Sequence, residues 1–207
     1  MRHGDDGGDD GDVLRPFLTA LSSMMLASLR QLDVQVPLTL MSNRVASDEL
    51  TALLKFLDVH GPNIRQLRVN IRYEIPELLE RAPNLEQLIL ATAVSNFVSG
   101  VFKVRDDHVH LRRIFVGLSP DQRVYQPETV QELDLSRLKV LEELRVQECH
   151  WPTSERDPKK EKNCWVPLSN KLLKQSVRLT DSKGVHWVPR LTTASAPRKA
   201  GKKGSGR

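Results

Sequence analysis

A short aliphatic motif recurs along the chain. Written L-x-x-L-x-V, it occupies Leu29, Leu32 and Val34 in its first copy. The copies begin at Leu29, Ile64, Leu85, Leu111 and Leu141. The last two apolar positions alternate with other residues at a period of two, which is typical of a strand with one buried face. A further match begins at Val130, only 11 residues before Leu141, so these two cannot both be full units.

The stretches between the motifs have helical spacing. Helices are predicted over 14 to 26, 47 to 57 and 76 to 81, where apolar residues such as Leu14, Phe17, Leu18, Leu21 and Met25 form one stripe. Ser47 is the candidate N-cap of the second helix, and Gly61 is its expected end. The chain therefore alternates short strands with helices, which predicts the α/β class.

The clearest internal repeat lies in the first half of the chain. Residues 62 to 69 (PNIRQLRV) match residues 83 to 90 (PNLEQLIL) at an offset of 21 residues. That offset falls inside the roughly 20–29 residue period of leucine-rich repeats. One strand–helix unit has an apolar face that it cannot cover alone, so several units must stack to bury it.

A resemblance to the leucine-rich-repeat superfamily is most specific at Leu141, Leu144, Val146, Cys149 and Trp151, which fit the pattern L-x-x-L-x-L-x-x-N/C-x-L. The motif starts are 35, 21, 26 and 30 residues apart. This irregularity resembles the repeat region of eukaryotic, fungal-type F-box proteins. The resemblance implies an irregular solenoid over residues 13 to 151, with short parallel strands on its concave side and helices on its convex side.

The same resemblance implies a function. Proteins of this kind recognise other proteins without catalysis, and the F-box proteins do so as the substrate-recognition part of a ubiquitin ligase. The expected partners are therefore another protein and a ubiquitin-ligase adaptor.

The remaining segments are predicted to flank the repeats. Residues 1 to 12 hold five aspartates among glycines and are expected to be disordered. Residues 152 to 190 are expected to form a loop and a capping segment, with a helical turn at Leu168, Leu172 and Leu173 and a hairpin around 181 to 184. Residues 191 to 207 are expected to be a disordered tail.

The positive charge of the chain is concentrated in that tail. The formal charge is +5, and the tail alone carries five basic residues and no acidic one, Arg198, Lys199, Lys202, Lys203 and Arg207. A basic folded face for nucleic acid is therefore not predicted. The tail fits a solubilising segment, a nuclear import signal or a loose anchor for polyanions. The last two give an alternative function as a nuclear or nucleic-acid-associated protein.

Candidate reactive side chains do not form a recognisable site. The possible zinc ligands Cys149, His150, Cys164 and His186 lack the close pairing of structural zinc sites, and Cys149 is expected to pack in the core. His108 and His110 are interpreted as solvated loop residues. No nucleophile elbow, P-loop or dinucleotide-binding motif occurs. The chain is therefore predicted not to be an enzyme, with no catalytic residue, metal or cofactor.

The strand positions that alternate with the buried ones are the candidate partner-binding residues. They are Gln66, Arg68, Asn70, Gln87, Ile89, Arg113, Phe115, Glu143, Arg145 and Gln147. Arginine with apolar and polar neighbours suits a protein interface, although an ordinary solvated face has the same composition. The extended concave surface that stacked repeats create favours binding.

The expected cellular location follows from sequence features of secretion and membrane insertion. The chain starts with Met1-Arg2-His3 and then turns acidic, unlike a signal peptide. No apolar run reaches the length of about 18 residues that a membrane helix needs. Two cysteines are too few for a disulfide framework. A cytoplasmic or nuclear location, away from membranes, is expected.

Overall fold

A computed structural model describes residues 14–35, 43–69, 78–91, 105–117, 135–147, 149–152 and 165–188. The helices are α1 (Leu14–Ser22), α2 (Asn43–His60), α3 (Leu78–Arg81) and α4 (Trp165–Leu173), and a 3-10 turn (Gly61–Asn63) follows α2. The strands are β1 (Gln31–Val34), β2 (Gln66–Val69), β3 (Gln87–Leu90), β4 (Arg113–Val116), β5 (Glu143–Val146) and β6 (Arg178–Thr180).

The six strands form one all-parallel sheet in chain order, from β1 to β6. Their first residues stand side by side across the sheet, because each strand pairs with the next without a shift of register. The α/β class predicted from the sequence is confirmed, and all five copies of the aliphatic motif provide a strand, β1 to β5.

The alternation along each strand separates a buried face from an outward face. Leu67, Leu88, Ile114 and Leu144 occupy the same position in β2 to β5 and are at most 1% exposed. They belong to one apolar core that also contains residues of all four helices, including Phe56 of α2. Burial of each such side chain contributes about 1.5–3 kcal/mol relative to its exposure to water. Among the described residues, the helices therefore cover one face of the sheet and leave the other face open.

The first two helices depart from their predicted bounds. The predicted helix over 14 to 26 ends at Ser22, where the Ser22 and Ser23 hydroxyls donate to backbone carbonyls of the last turn and compete with helical bonding. Its predicted apolar stripe is wrong at Phe17 and Met25, which are 57% and 97% exposed. The second helix begins at Asn43, so Ser47 lies inside it and is not its N-cap.

The C-terminal segment adds a strand to the sheet and then reverses at residues 181 to 184, where the hairpin was predicted, although the returning arm forms one bridge and no second strand. β6 lies parallel to β5, and the chain then turns back to make a single antiparallel bridge from Thr180 to His186. The turn is held by the Asp181 carboxylate, which accepts the backbone N–H groups of Lys183 and Val185 at 2.9 Å each. The prediction of a helical turn before this segment is confirmed by α4, although Leu173 is 43% exposed.

Several predictions concern residues outside the described ranges. They include the disorder of residues 1 to 12 and 191 to 207 and the loop after Pro152. Within the described ranges, no helix combines the length and the apolar character required to cross a bilayer.

Candidate binding face

The outward face of the sheet consists of two rows of side chains that cross the strands. One row contains Gln31, Gln66, Gln87, Arg113, Glu143 and Arg178. The other contains Asp33, Arg68, Ile89, Phe115, Arg145 and Thr180. Because the register is unshifted, neighbours within a row lie about 4.8 Å apart along the direction of the backbone hydrogen bonds.

A groove of about 340 Å³ lies on this face across β2 to β5. Its lining residues are Arg68, Gln87, Ile89, Arg113, Ile114, Phe115, Glu143 and Arg145. Ile89 and Phe115 are direct cross-strand partners and form the apolar floor, and both are only half-buried. Two large apolar side chains therefore remain in contact with water in the centre of a charged surface.

Glu143 is held in place by its neighbours. Its Oε1 atom accepts the Arg145 Nε and Nη2 groups at 3.1 and 2.8 Å and the Thr180 hydroxyl at 2.8 Å. Burial raises the pKa of Glu143, but these hydrogen bonds and the charges of Arg145 and Arg178 outweigh it, so the net pKa is lowered. The Glu143 carboxylate is thus ionised at neutral pH, and its Oε1 atom is already engaged within the protein.

The other two arginines of the groove, Arg68 and Arg113, form fewer hydrogen bonds and ion pairs with described residues than Arg145 does. Arg68 lies 3.7 Å from the Asp33 carboxylate, with about half of each side chain exposed. The Arg113 side chain is exposed and has no ion pair or hydrogen bond to any residue that the structure describes. The groove therefore offers two guanidinium groups that are open to a ligand.

The structure brings together seven of the ten predicted partner-binding residues, those at positions 68, 87, 89, 113, 115, 143 and 145. Gln66 is half-buried beside Gln87 in the same row but does not line the groove. Gln147 is exposed just beyond the end of β5, and Asn70 lies outside the described residues. Sequence reasoning missed Asp33, although it occupies the outward position of the first motif copy.

The interpretation of His108 as a solvated residue is wrong. His108 is 6% exposed; its Nε2 donates to the Ala82 carbonyl and its Nδ1 accepts the Leu111 N–H, each at 3.1 Å. Burial lowers the pKa of His108, the bond to Ala82 opposes this, and the nearby His110 lowers it further. With both ring nitrogens engaged, the neutral imidazole joins two loops and has no lone pair left for a metal or a substrate. His110 is exposed, as predicted.

The other candidate ligands lie only partly within the described ranges. Cys149 is 1% exposed and packs in the core, as predicted, and His150 is exposed. Cys164 lies outside the described residues. Across the ranges that the structure describes, no three His, Cys, Asp or Glu side chains are grouped so that they could hold a metal ion.

Comparison of the chain with protein-family models, with curated proteins and with solved structures finds no match.

Proposed function

We propose that this chain is an irregular leucine-rich-repeat solenoid that recognises another protein, without catalysis, through the outward face of its sheet. The observation that carries the proposal is the groove over β2 to β5, where Ile89 and Phe115 stay half-exposed among arginines. The solenoid is supported by the L-x-x-L-x-V motif, since five successive copies each add one parallel strand in the same register.

The energetics favour a macromolecular partner. Apolar and arginine side chains at the centre of a surface are the usual source of binding energy in protein interfaces. The six strands span about 24 Å, from five spacings of about 4.8 Å, which suits a partner that crosses several strands. The groove residues lie on strands instead of loops, so binding requires little ordering of the backbone.

The F-box resemblance extends the proposal to a role in protein degradation. In that role the outward face would hold a ubiquitin-ligase substrate, and an adaptor of the ligase would contact another part of the protein.

The test is capture of proteins from a cell lysate by the wild-type chain and by a Phe115→Ser variant, with bound proteins quantified by mass spectrometry. Val59→Ser is the matched control, because Val59 is a 53% exposed apolar residue on α2, away from the sheet. We expect Phe115→Ser to lose proteins that the wild type and Val59→Ser retain. Equal recovery by all three chains, with the variants shown by circular dichroism to be folded, would refute binding through this face.

A further inference from the structure

The charges of the groove are unbalanced. Three arginines and one glutamate line it, which leaves a formal charge of +2. Glu143 is matched by Arg145, because both the Nε and the Nη2 of that guanidinium donate to it. The surplus positive charge therefore belongs to Arg68 and Arg113, on either side of the apolar floor.

Both of these arginines are available to a partner. An exposed pair such as Arg68 and Asp33 contributes only about 0–1 kcal/mol, so Arg68 can exchange Asp33 for another carboxylate at little cost. Arg113 has no such partner among the described residues, and its guanidinium is exposed at the rim of the groove. Arginine binds carboxylates through two parallel N–H groups, which adds geometric specificity to the attraction.

The apolar floor lies between these charges. Ile89 pairs with Arg68 on one side and with Phe115 on the other, and Arg113 stands two residues before Phe115 on the same strand. The volume of about 340 Å³ is at the lower end of the range of about 300–1,000 Å³ for small-ligand pockets. The groove thus has room for one or two side chains of a partner, with positive groups beside them.

We infer that the groove binds an extended peptide segment in which an aliphatic or aromatic side chain is flanked by acidic side chains. The apolar side chain covers Ile89 and Phe115, and the carboxylates pair with Arg113 and Arg68. This inference rests on the proposed function, since it assumes that the outward face is the protein-binding surface.

Ligands with only one of these features fit less well. A phosphate ion would satisfy the arginines but would leave Ile89 and Phe115 in water, and a single-stranded nucleic acid could stack a base only on Phe115, the single aromatic side chain among the described groove residues. A purely apolar segment would cover the floor but would remove water from Arg113 without giving it a partner, which is costly for a charged group. Only a segment with both features uses the whole groove.

The experiment is selection of a random-peptide display library on the immobilised full chain, followed by affinity measurements on the selected peptides. We expect enrichment of Asp or Glu beside Leu, Ile, Phe, Tyr or Trp. Arg113→Glu should weaken binding of the selected peptides about ten-fold to a hundred-fold, the usual effect of losing a hydrogen bond to a charged group. Binding should also weaken as salt is added, because exposed charges are screened.

Arg112→Glu is the matched control. It makes the same change of charge one residue away, but Arg112 pairs with Glu142 at 2.9 Å and does not line the groove. The selected peptides should bind the Arg112→Glu variant within about three-fold of the wild-type affinity, because the changed charge is solvent-exposed, screened by salt and outside the groove.

The outcomes separate this inference from the proposed function. Peptides without acidic residues whose binding is lost with Phe115→Ser but unchanged with Arg113→Glu would overturn the acidic–apolar segment and leave the binding face standing. If the selected peptides bind both variants as tightly as the wild type, both this inference and the proposed binding face would be overturned. Failure to enrich any peptide, or equally tight binding of a random single-stranded oligonucleotide, would overturn the inference, because the groove would then not select its ligand by the two features together.

Discussion

Two backbone segments lie close together at Gly61, and replacing this glycine with alanine should destabilise the protein. Gly61 is buried at the start of the turn after α2. A Cβ atom added there would overlap the carbonyl oxygen of Arg81 and lie 2.9 Å from its carbonyl carbon and 3.5 Å from the Ala82 Cα. The obstacle is backbone at the end of α3, which cannot rotate away as a side chain would.

The size of the effect follows from that geometry. Forcing an additional methyl group into a packed core costs about 1–3 kcal/mol, and an immovable backbone neighbour places Gly61→Ala at about 3 kcal/mol. Without the overlap, the substitution would increase the free energy of unfolding instead of decreasing it. Gly→Ala at an unstrained position stabilises a protein by about 0.4–1 kcal/mol because it lowers the conformational entropy of the unfolded chain. For a chain of 207 residues, about 3 kcal/mol lowers Tm by about 6–12 °C.

The assay is urea unfolding followed by circular dichroism, with Gly117→Ala as the comparison. A Cβ at Gly117 would lie 2.7 Å from the Ala91 carbonyl oxygen, a less severe contact than the one at Gly61. We expect both variants to lose free energy of unfolding, with the larger loss for Gly61→Ala. A Gly61→Ala variant as stable as the wild type, or more stable, would show that the reasoning from this close approach is incorrect.

Three further predictions concern buried groups, and urea unfolding measures each of them. Because the pKa of His108 is lowered in the folded protein, the unfolded chain binds more protons, so stability should fall as the pH drops through the unfolded value of 6.5. His108→Asn should reduce that slope, and an unchanged slope would contradict this account. Because the pKa of Glu143 is lowered in the folded protein, its contribution to stability is present above its ordinary pKa of 4.5 and is lost on acidification. Glu143→Gln should cost about 1 kcal/mol at neutral pH by weakening the contact with Arg145. A Glu143→Gln variant with no loss at neutral pH would mean that the Arg145 contact is not stabilising. Leu88→Ala should cost about 2–5 kcal/mol because Leu88 is fully buried, and a cost below about 1 kcal/mol would mean that the core collapses around the cavity.

The first five strands were predictable because their signal is local. Each copy of the motif places two apolar residues at a period of two, and a slip of one residue would turn both of them to water. In β2, for example, Leu67 and Val69 are fully buried while Arg68 between them is exposed. The same alternation identifies the outward residues, so most of the residues that line the groove could be predicted from the positions of the motifs alone.

The sixth strand was not predictable in the same way. Its short sequence Arg178-Leu179-Thr180 has one inward apolar residue, Leu179, and ends before the position where the earlier strands have a second inward valine or leucine. Its position depends on the edge that β5 offers, which no local pattern encodes. Thr180 was therefore missed as a partner of Glu143, 37 residues away in the chain.

The burial of His108 was also not predictable, because it depends on a distant part of the chain. His108 sits in a polar stretch with two neighbouring aspartates, which locally indicates a solvated loop. Its burial depends on the Ala82 carbonyl, 26 residues earlier, which becomes a neighbour only when the chain has folded. Long-range hydrogen bonds of this kind have no periodic signature in the sequence.

The strands lie in the sheet in the same order as in the chain, and this order determines where local unfolding begins. Within the described residues each strand is hydrogen-bonded only to its predecessor and its successor, so local unfolding of this sheet has two natural starting points, β1 and β6. The groove lies over β2 to β5, with at least one further strand on each side. Fraying at either end can therefore proceed while the amides of β3 and β4 remain protected from hydrogen exchange, so the centre of the candidate binding face is the last part of the sheet to lose its shape.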